Sequence, residues 1–195
     1  MFKKWFEALF LPMKAMPKLK KEANVGMAVL YVVIGYLIYG VVLGVAIAFL
    51  PIMLGAMGGL GMMGGFGLGA LSIVTMPIAM IISGIIGLFI GAGLIHLFAY
   101  IFGGRNGFVK LIYLMAALTA ALAIIGIINI IPLIGPILYI LVAIYGIYPT
   151  IVAIKEAYEF SWGKAVLSFV IPVIIVLIIF FAFTAAMFAP AMVVM

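Results

Sequence analysis

The sequence contains no cysteine and no aspartate, only 7% charged residues, and a single histidine, His96, in 195 positions. Each absence excludes something. Without cysteine there are no disulfides, no thiolate metal sites and no thiol redox chemistry. With four glutamates (Glu7, Glu22, Glu156, Glu159) as the only acidic side chains, the acid–base pairs and ligand clusters that catalysis or metal binding require are nearly unavailable. No catalytic residue, no metal and no cofactor is expected, and the chain reads as a non-enzyme. Soluble domains carry about a quarter charged residues, so this chain is not built for water.

What is present is apolar: 70% of the residues are hydrophobic, among them 15 phenylalanines and 14 methionines. A membrane-crossing helix needs about 20 apolar residues in a row. Five stretches qualify, near 25–50, 71–102, 111–130, 137–154 and 165–188. The expected fold is therefore all-α, a polytopic integral membrane protein of five transmembrane helices. A leader occupies 1–24 and the membrane domain 25–195, with a Gly/Met-rich outer loop at 51–70. The second stretch would be about 48 Å long as a straight helix, more than a bilayer core. Either Pro77 kinks it or it emerges near His96–Phe102.

All ten Lys and Arg side chains lie in residues 1–22, in the 103–110 loop or around the 155–164 loop, and none at 51–70, 131–136 or the C-terminal tail. This one-sided distribution predicts a cytoplasmic N-terminus and an outside C-terminus in the plasma membrane. It also assigns the net charge of +6 to anionic lipid headgroups and not to nucleic acid. The first 22 residues have no apolar core and no small-residue cleavage site, so no cleavable signal peptide is read.

The leader has its own pattern. Phe2, Trp5, Phe6, Leu9, Phe10 and Met13 recur at helical spacing, with Lys3, Lys4, Glu7 and Lys14 on the other face. This predicts an interfacial amphipathic helix with its aromatic side among the headgroups, ended by Pro12 and Pro17. Within the spans, Gly40-x-x-x-Gly44 and Gly87-x-x-x-Gly91, with Ala117 and Ala121, suit close helix packing. Asn129 precedes a turn at Ile130–Pro136 and is expected to cap it, and His96 is placed to pair with Glu156 or Glu159. Residues 59–64, GLGMMG, match a dinucleotide-binding glycine spacing. They follow no strand and no acid answers them about 20 residues on, so the run reads as an apolar linker. Its methionines (Met53, Met57, Met62, Met63, with Met187, Met192 and Met195) leave one alternative, a channel or carrier mouth for an uncharged or soft solute such as Cu(I).

Residues 96 to 165 carry a further pattern: His96-Leu97-Phe98, Phe102-Gly103-Gly104-Arg105, Asn129 through Pro132 to Gly135, then Ile154-Lys155-Glu156-Ala157-Tyr158 with Ser161 and Lys164-Ala165. This series, together with Leu11-Pro12 in the leader, resembles the Yip-one (Ypt/Rab-interacting) domain family in its prokaryotic, archaeal branch. The resemblance covers nearly the whole chain. It implies a five-helix, non-enzymatic membrane protein of vesicle-trafficking lineage that associates with itself or another membrane protein, and it marks the residues just named as the candidate functional positions. In eukaryotic members a long cytosolic N-terminal region helps engage prenylated Rab GTPases. Here the leader is short and lacks an Asp-Leu-Tyr-Gly-Pro-like stretch, which argues against a Rab-type GTPase partner. Tyr158 stands where the prokaryotic pattern usually has a histidine, which argues against a histidine-based site. The functional expectation is a membrane scaffold or adaptor.

Overall fold

The computed structural model describes residues 1–58 and 65–193, without the side chains of 50–58, 65–68 and 187–193. The GLGMMG run thus lies outside the described residues, as do the side chains of the methionines proposed as a soft-solute mouth.

Two short helices, α1 (Phe2–Phe10) and α2 (Pro12–Leu19), and a 3-10 turn at Lys20–Glu22 precede five long ones. These are α3 (Val25–Gly58), α4 (Gly65–Ile101), α5 (Phe108–Ile125, extended by a 3-10 turn at Gly126–Ile130), α6 (Ile134–Tyr158) and α7 (Trp162–Val193). Each contains a segment long and apolar enough to cross a membrane: Val25–Phe49, Gly69–Ile101, Phe108–Ile130, Ile134–Tyr158 and Trp162–Ala186. The chain is an integral membrane protein with five spans.

The central helix is α5, 61% of whose most apolar window is buried, against 28% or less in the other four. α3 and α6 each pack on α5, α4 pairs with α3 and α5, and α7 bridges α4 and α6. Lipid is as apolar as leucine, so close backbone approach must supply the attraction between such helices. Gly40 and Gly44 provide it. A methyl on Gly40 would sit 3.0 Å from the Pro77 nitrogen, and one on Gly44 would overlap the Ser72 carbonyl. The Ser72 hydroxyl donates across this seam to the Gly44 carbonyl at 2.7 Å. Gly35 approaches Ala120 of α5 in the same way. Gly87 does not belong to this set, because it faces open space, and Gly91 has only a Met115 methyl at 3.8 Å.

Three boundaries differ from those read in the sequence. Residues 51–58 and 65–70 are helical, not loop, because glycine inside an apolar segment costs a helix only about 1 kcal/mol. The 155–164 region is not a loop either. α6 runs to Tyr158 and α7 begins at Trp162, leaving a three-residue corner. Glu159 occupies the left-handed position there (φ 55°), and the Phe160 N–H bonds back to the Lys155 carbonyl at 3.0 Å.

The third difference concerns the leader. Trp5, Ala8 and Leu9 of α1, and Ala15, Met16 and Leu19 of α2, are buried in the protein core. α1 packs on α5 and α6, and α2 on α6. The Trp5 ring meets Tyr31 edge-on at 5.4 Å, and Tyr31 shares a 2.9 Å hydrogen bond with Tyr113. Trp5 and Leu9 are therefore core residues and do not point to headgroups. Phe2 and Phe10 are exposed and Phe6 is half-buried. An apolar helix face satisfies a protein core as readily as a lipid one, and the neighbouring helices claim it here.

Candidate functional site

Folding gathers the leader and the charged corners at one end of the bundle. α4 ends at Ile101 because Gly103 takes a left-handed conformation (φ 90°). The Gly104 N–H then returns to the Ala99 carbonyl at 2.8 Å and that of Gly103 to the Tyr100 carbonyl at 3.0 Å, the two bonds of a Schellman close. The loop that follows lies flat against the α6–α7 corner. A methyl on Gly104 would stand 2.7 Å from the Phe160 ring and 2.8 Å from that of Tyr158, and one on Gly107 would overlap the Tyr158 ring. Glycine at both positions is what lets the two stacked rings, 5.4 Å apart, seat on the loop.

Tyr158 also faces α4. Its hydroxyl is hydrogen-bonded to Nδ1 of His96 at 2.5 Å, with the rings near parallel at 5.8 Å, and the other side of His96 meets Phe108 at 4.8 Å. His96 pairs with neither Glu156 nor Glu159. Tyr158 is itself the partner of His96. The Tyr158 side chain is buried, and its hydroxyl is committed to the imidazole.

The carboxylates go elsewhere. Glu156 accepts from Lys20 at 3.2 Å and from Lys155 at 3.2 Å, and the Lys20 ammonium also reaches the Glu156 carbonyl at 3.3 Å and Glu159 at 3.6 Å. This ties the end of the leader to the end of α6. Lys4 bonds Glu22, whose hydrogen bond holds the Lys4 ammonium above its usual range, and Lys3 lies 3.9 Å from Glu7. All four glutamates are thus in ion pairs. Lys164 donates to the Phe102 carbonyl at 3.1 Å, satisfying an orphan acceptor at the end of α4. Lys155 lies 5.6 Å over the Trp162 ring and the exposed Arg105 6.0 Å over Tyr100. Among the described residues Lys14, Lys18, Lys21, Arg105 and Lys110 have no carboxylate partner. The result is a face with a surplus of unpaired positive charge.

Of the positions marked in the sequence, His96, Gly103, Gly104, Arg105, Glu156, Tyr158 and Lys164 come together at this end. Asn129, Pro132 and Gly135 lie at the opposite one. There the Asn129 side-chain amide donates to the Gly126 carbonyl at 3.1 Å, within the 3-10 turn and not across the corner that follows it. That corner is closed by backbone: the Ile134 N–H bonds the Pro132 carbonyl at 2.8 Å around Leu133, which adopts φ 65°. Gly135 is required, since any side chain would overlap the Ile128 carbonyl. Three contributors to the basic end had no advance signal. Gly107 was visible only as one glycine more in a glycine-rich loop, Lys20 as one lysine among six, and Phe160 as an ordinary aromatic. No group of three or more metal-ligating His, Cys, Asp or Glu side chains occurs among the described residues.

Compared with known proteins, residues 6–184 match the family model of the Yip1 domain. No curated protein and no solved structure matches the chain.

Proposed function

The chain belongs to the Yip1 domain family, and on that premise we propose that it is a non-enzymatic membrane scaffold or adaptor working through its basic end. The supporting observation is the locking of leader, α4–α5 loop and α6–α7 corner into one unit by His96–Tyr158, Lys20–Glu156 and Lys164–Phe102. Elements held together this way gather the unpaired cations on one face, which suits anionic headgroups and an associating membrane protein better than a flexible tail would. The positive-inside bias supports a reading in which this end and the N-terminus are cytoplasmic and the C-terminus lies outside the cell membrane. The soft-solute carrier reading draws its support only from methionines outside the described side chains.

Reconstitution tests this. Wild-type protein in liposomes containing anionic lipid should alter vesicle diameter or cluster vesicles, and a Lys14→Glu/Lys18→Glu/Lys21→Glu variant should not. Equal behaviour of the two proteins, or copper or solute flux above empty vesicles, would count against the scaffold.

A further inference from the structure

α3 and α6 both pack on α5 but, among the described residues, make no substantial contact with each other. A cleft therefore runs along α5 between them. At the basic end α1 fills it: Trp5 meets Tyr31 of α3, and the Leu9 carbonyl accepts a 3.2 Å hydrogen bond from the Tyr145 hydroxyl of α6. Beyond α1, toward the charge-free end, the same cleft holds a cavity of about 160 Å³ lined by Tyr36, Tyr39, Thr119, Asn129 and Tyr139 around Gly126.

The cavity is built by a change of helix type. α5 turns from α to 3-10 at the buried Gly126, where a methyl group would already stand 3.4 Å from the Tyr39 ring and 3.6 Å from that of Tyr139. A larger side chain would fill the space. Its polar groups are only half used. The Thr119 hydroxyl donates to the Ala116 carbonyl at 3.2 Å, and the Asn129 amide nitrogen donates to Gly126, leaving both oxygens as free acceptors. The hydroxyls of Tyr36, Tyr39 and Tyr139 make no hydrogen bond among the described residues. Acyl chains offer such groups no partner, so the site calls for an occupant that both donates and accepts.

We propose that the open half of this cleft binds the uncharged, hydroxyl-bearing headgroup of a membrane amphiphile of the mono- or diacylglycerol class. Three features select that chemistry. No charged side chain lines the cavity, so a phosphate would lie there without a counter-charge. Its volume equals about five waters at roughly 30 Å³ each, which is the scale of a glycerol unit. The cavity lies within the span of α3, α5 and α6, between helices that do not close on each other, so the ligand enters from the bilayer with its chains remaining in lipid. The tyrosines would donate to ester and hydroxyl oxygens, and Thr119 and Asn129 would accept the hydroxyl protons.

The test is photocrosslinking of the whole protein in nanodiscs, using a diazirine-bearing diacylglycerol and, separately, a diazirine-bearing phosphatidylglycerol. The diacylglycerol probe should label peptides containing Tyr39 and Tyr139 saturably. Unlabelled diacylglycerol should compete and free glycerol should not. Gly126→Leu should abolish the labelling. Tyr39→Phe/Tyr139→Phe/Asn129→Leu, which hardly alters volume, should weaken it tenfold or more, since each lost hydrogen bond costs roughly threefold to tenfold in affinity. It carries the test if the leucine variant does not fold. Labelling spread evenly over the lipid-facing helices, equal labelling by the phosphatidylglycerol probe, competition by free glycerol, or an unchanged affinity in the triple variant would each overturn the proposal.

Discussion

The Tyr158 hydroxyl and Nδ1 of His96 meet at 2.5 Å, joining the last turn of α6 to the last two turns of α4 across 62 residues of sequence. Around this contact Gly104 and Gly107 give up their side chains to the Tyr158 ring. Tyr158→Phe keeps the ring seated and loses one hydrogen bond, so about 1 kcal/mol of stability should be lost. Tyr158→Ala empties the space over both glycines and should cost about 3–5 kcal/mol. Thermal unfolding in one detergent, followed by circular dichroism, checks the ratio.

Glycine substitutions should sort by what their methyl would meet. Gly44→Ala and Gly107→Ala drive a methyl into backbone or a packed ring, and each should destabilise by about 1–3 kcal/mol. Gly87→Ala and Gly93→Ala meet nothing within 4 Å and should be neutral or stabilising by up to about 1 kcal/mol, the helix preference of alanine over glycine. Melting temperatures of the four single variants separate the two groups.

The Lys20–Glu156 pair is mostly shielded, with side chains 20% and 14% exposed. Breaking it should cost about 1–2 kcal/mol, between the values for surface and buried pairs. Lys20→Met should therefore loosen the leader without unfolding the spans. Hydrogen exchange over residues 2–22 should rise while that of α5 stays unchanged. Equal rises in both would mean that the pair holds the whole bundle.

Much of this architecture is legible in the sequence, and the limits have physical reasons. Five long apolar runs separated by charge announce five spans, because nothing else in water or lipid tolerates them. The ends of α6 and α7 were harder. Lys155, Glu156 and Lys164 resemble a solvated loop, yet each is stabilised on helix by a partner on another element: Trp162 of α7 under Lys155, Lys20 beside Glu156, the Phe102 carbonyl before Lys164. The glycine seams divide in a similar way. Spacing identifies a face that permits close approach, and only the fold decides that Gly40 and Gly44 meet a helix while Gly87 meets none. Within residues 96 to 165 the alternation of spans already sets Asn129 at the end opposite His96 and Tyr158, but the pairing of His96 with Tyr158 cannot be read from spacing.

The leader shows the same limit most sharply. Its apolar face is plain in the sequence, and its partner is not, since core and headgroup region both accept Trp5 and Leu9. Phe2→Ala and Trp5→Ala should thus differ widely. The exposed phenylalanine should cost less than about 1 kcal/mol, while removal of the fully buried indole should cost about 3–5 kcal/mol.

The claim that α1 is a core element, on which the basic face depends, is tested most directly by fluorescence of Trp5 alone. In a Trp162→Phe protein reconstituted in nanodiscs, Trp5 should be quenched neither by aqueous iodide nor by lipids brominated or spin-labelled at the headgroup. Strong quenching by the headgroup-labelled lipids would contradict it and return α1 to the membrane surface.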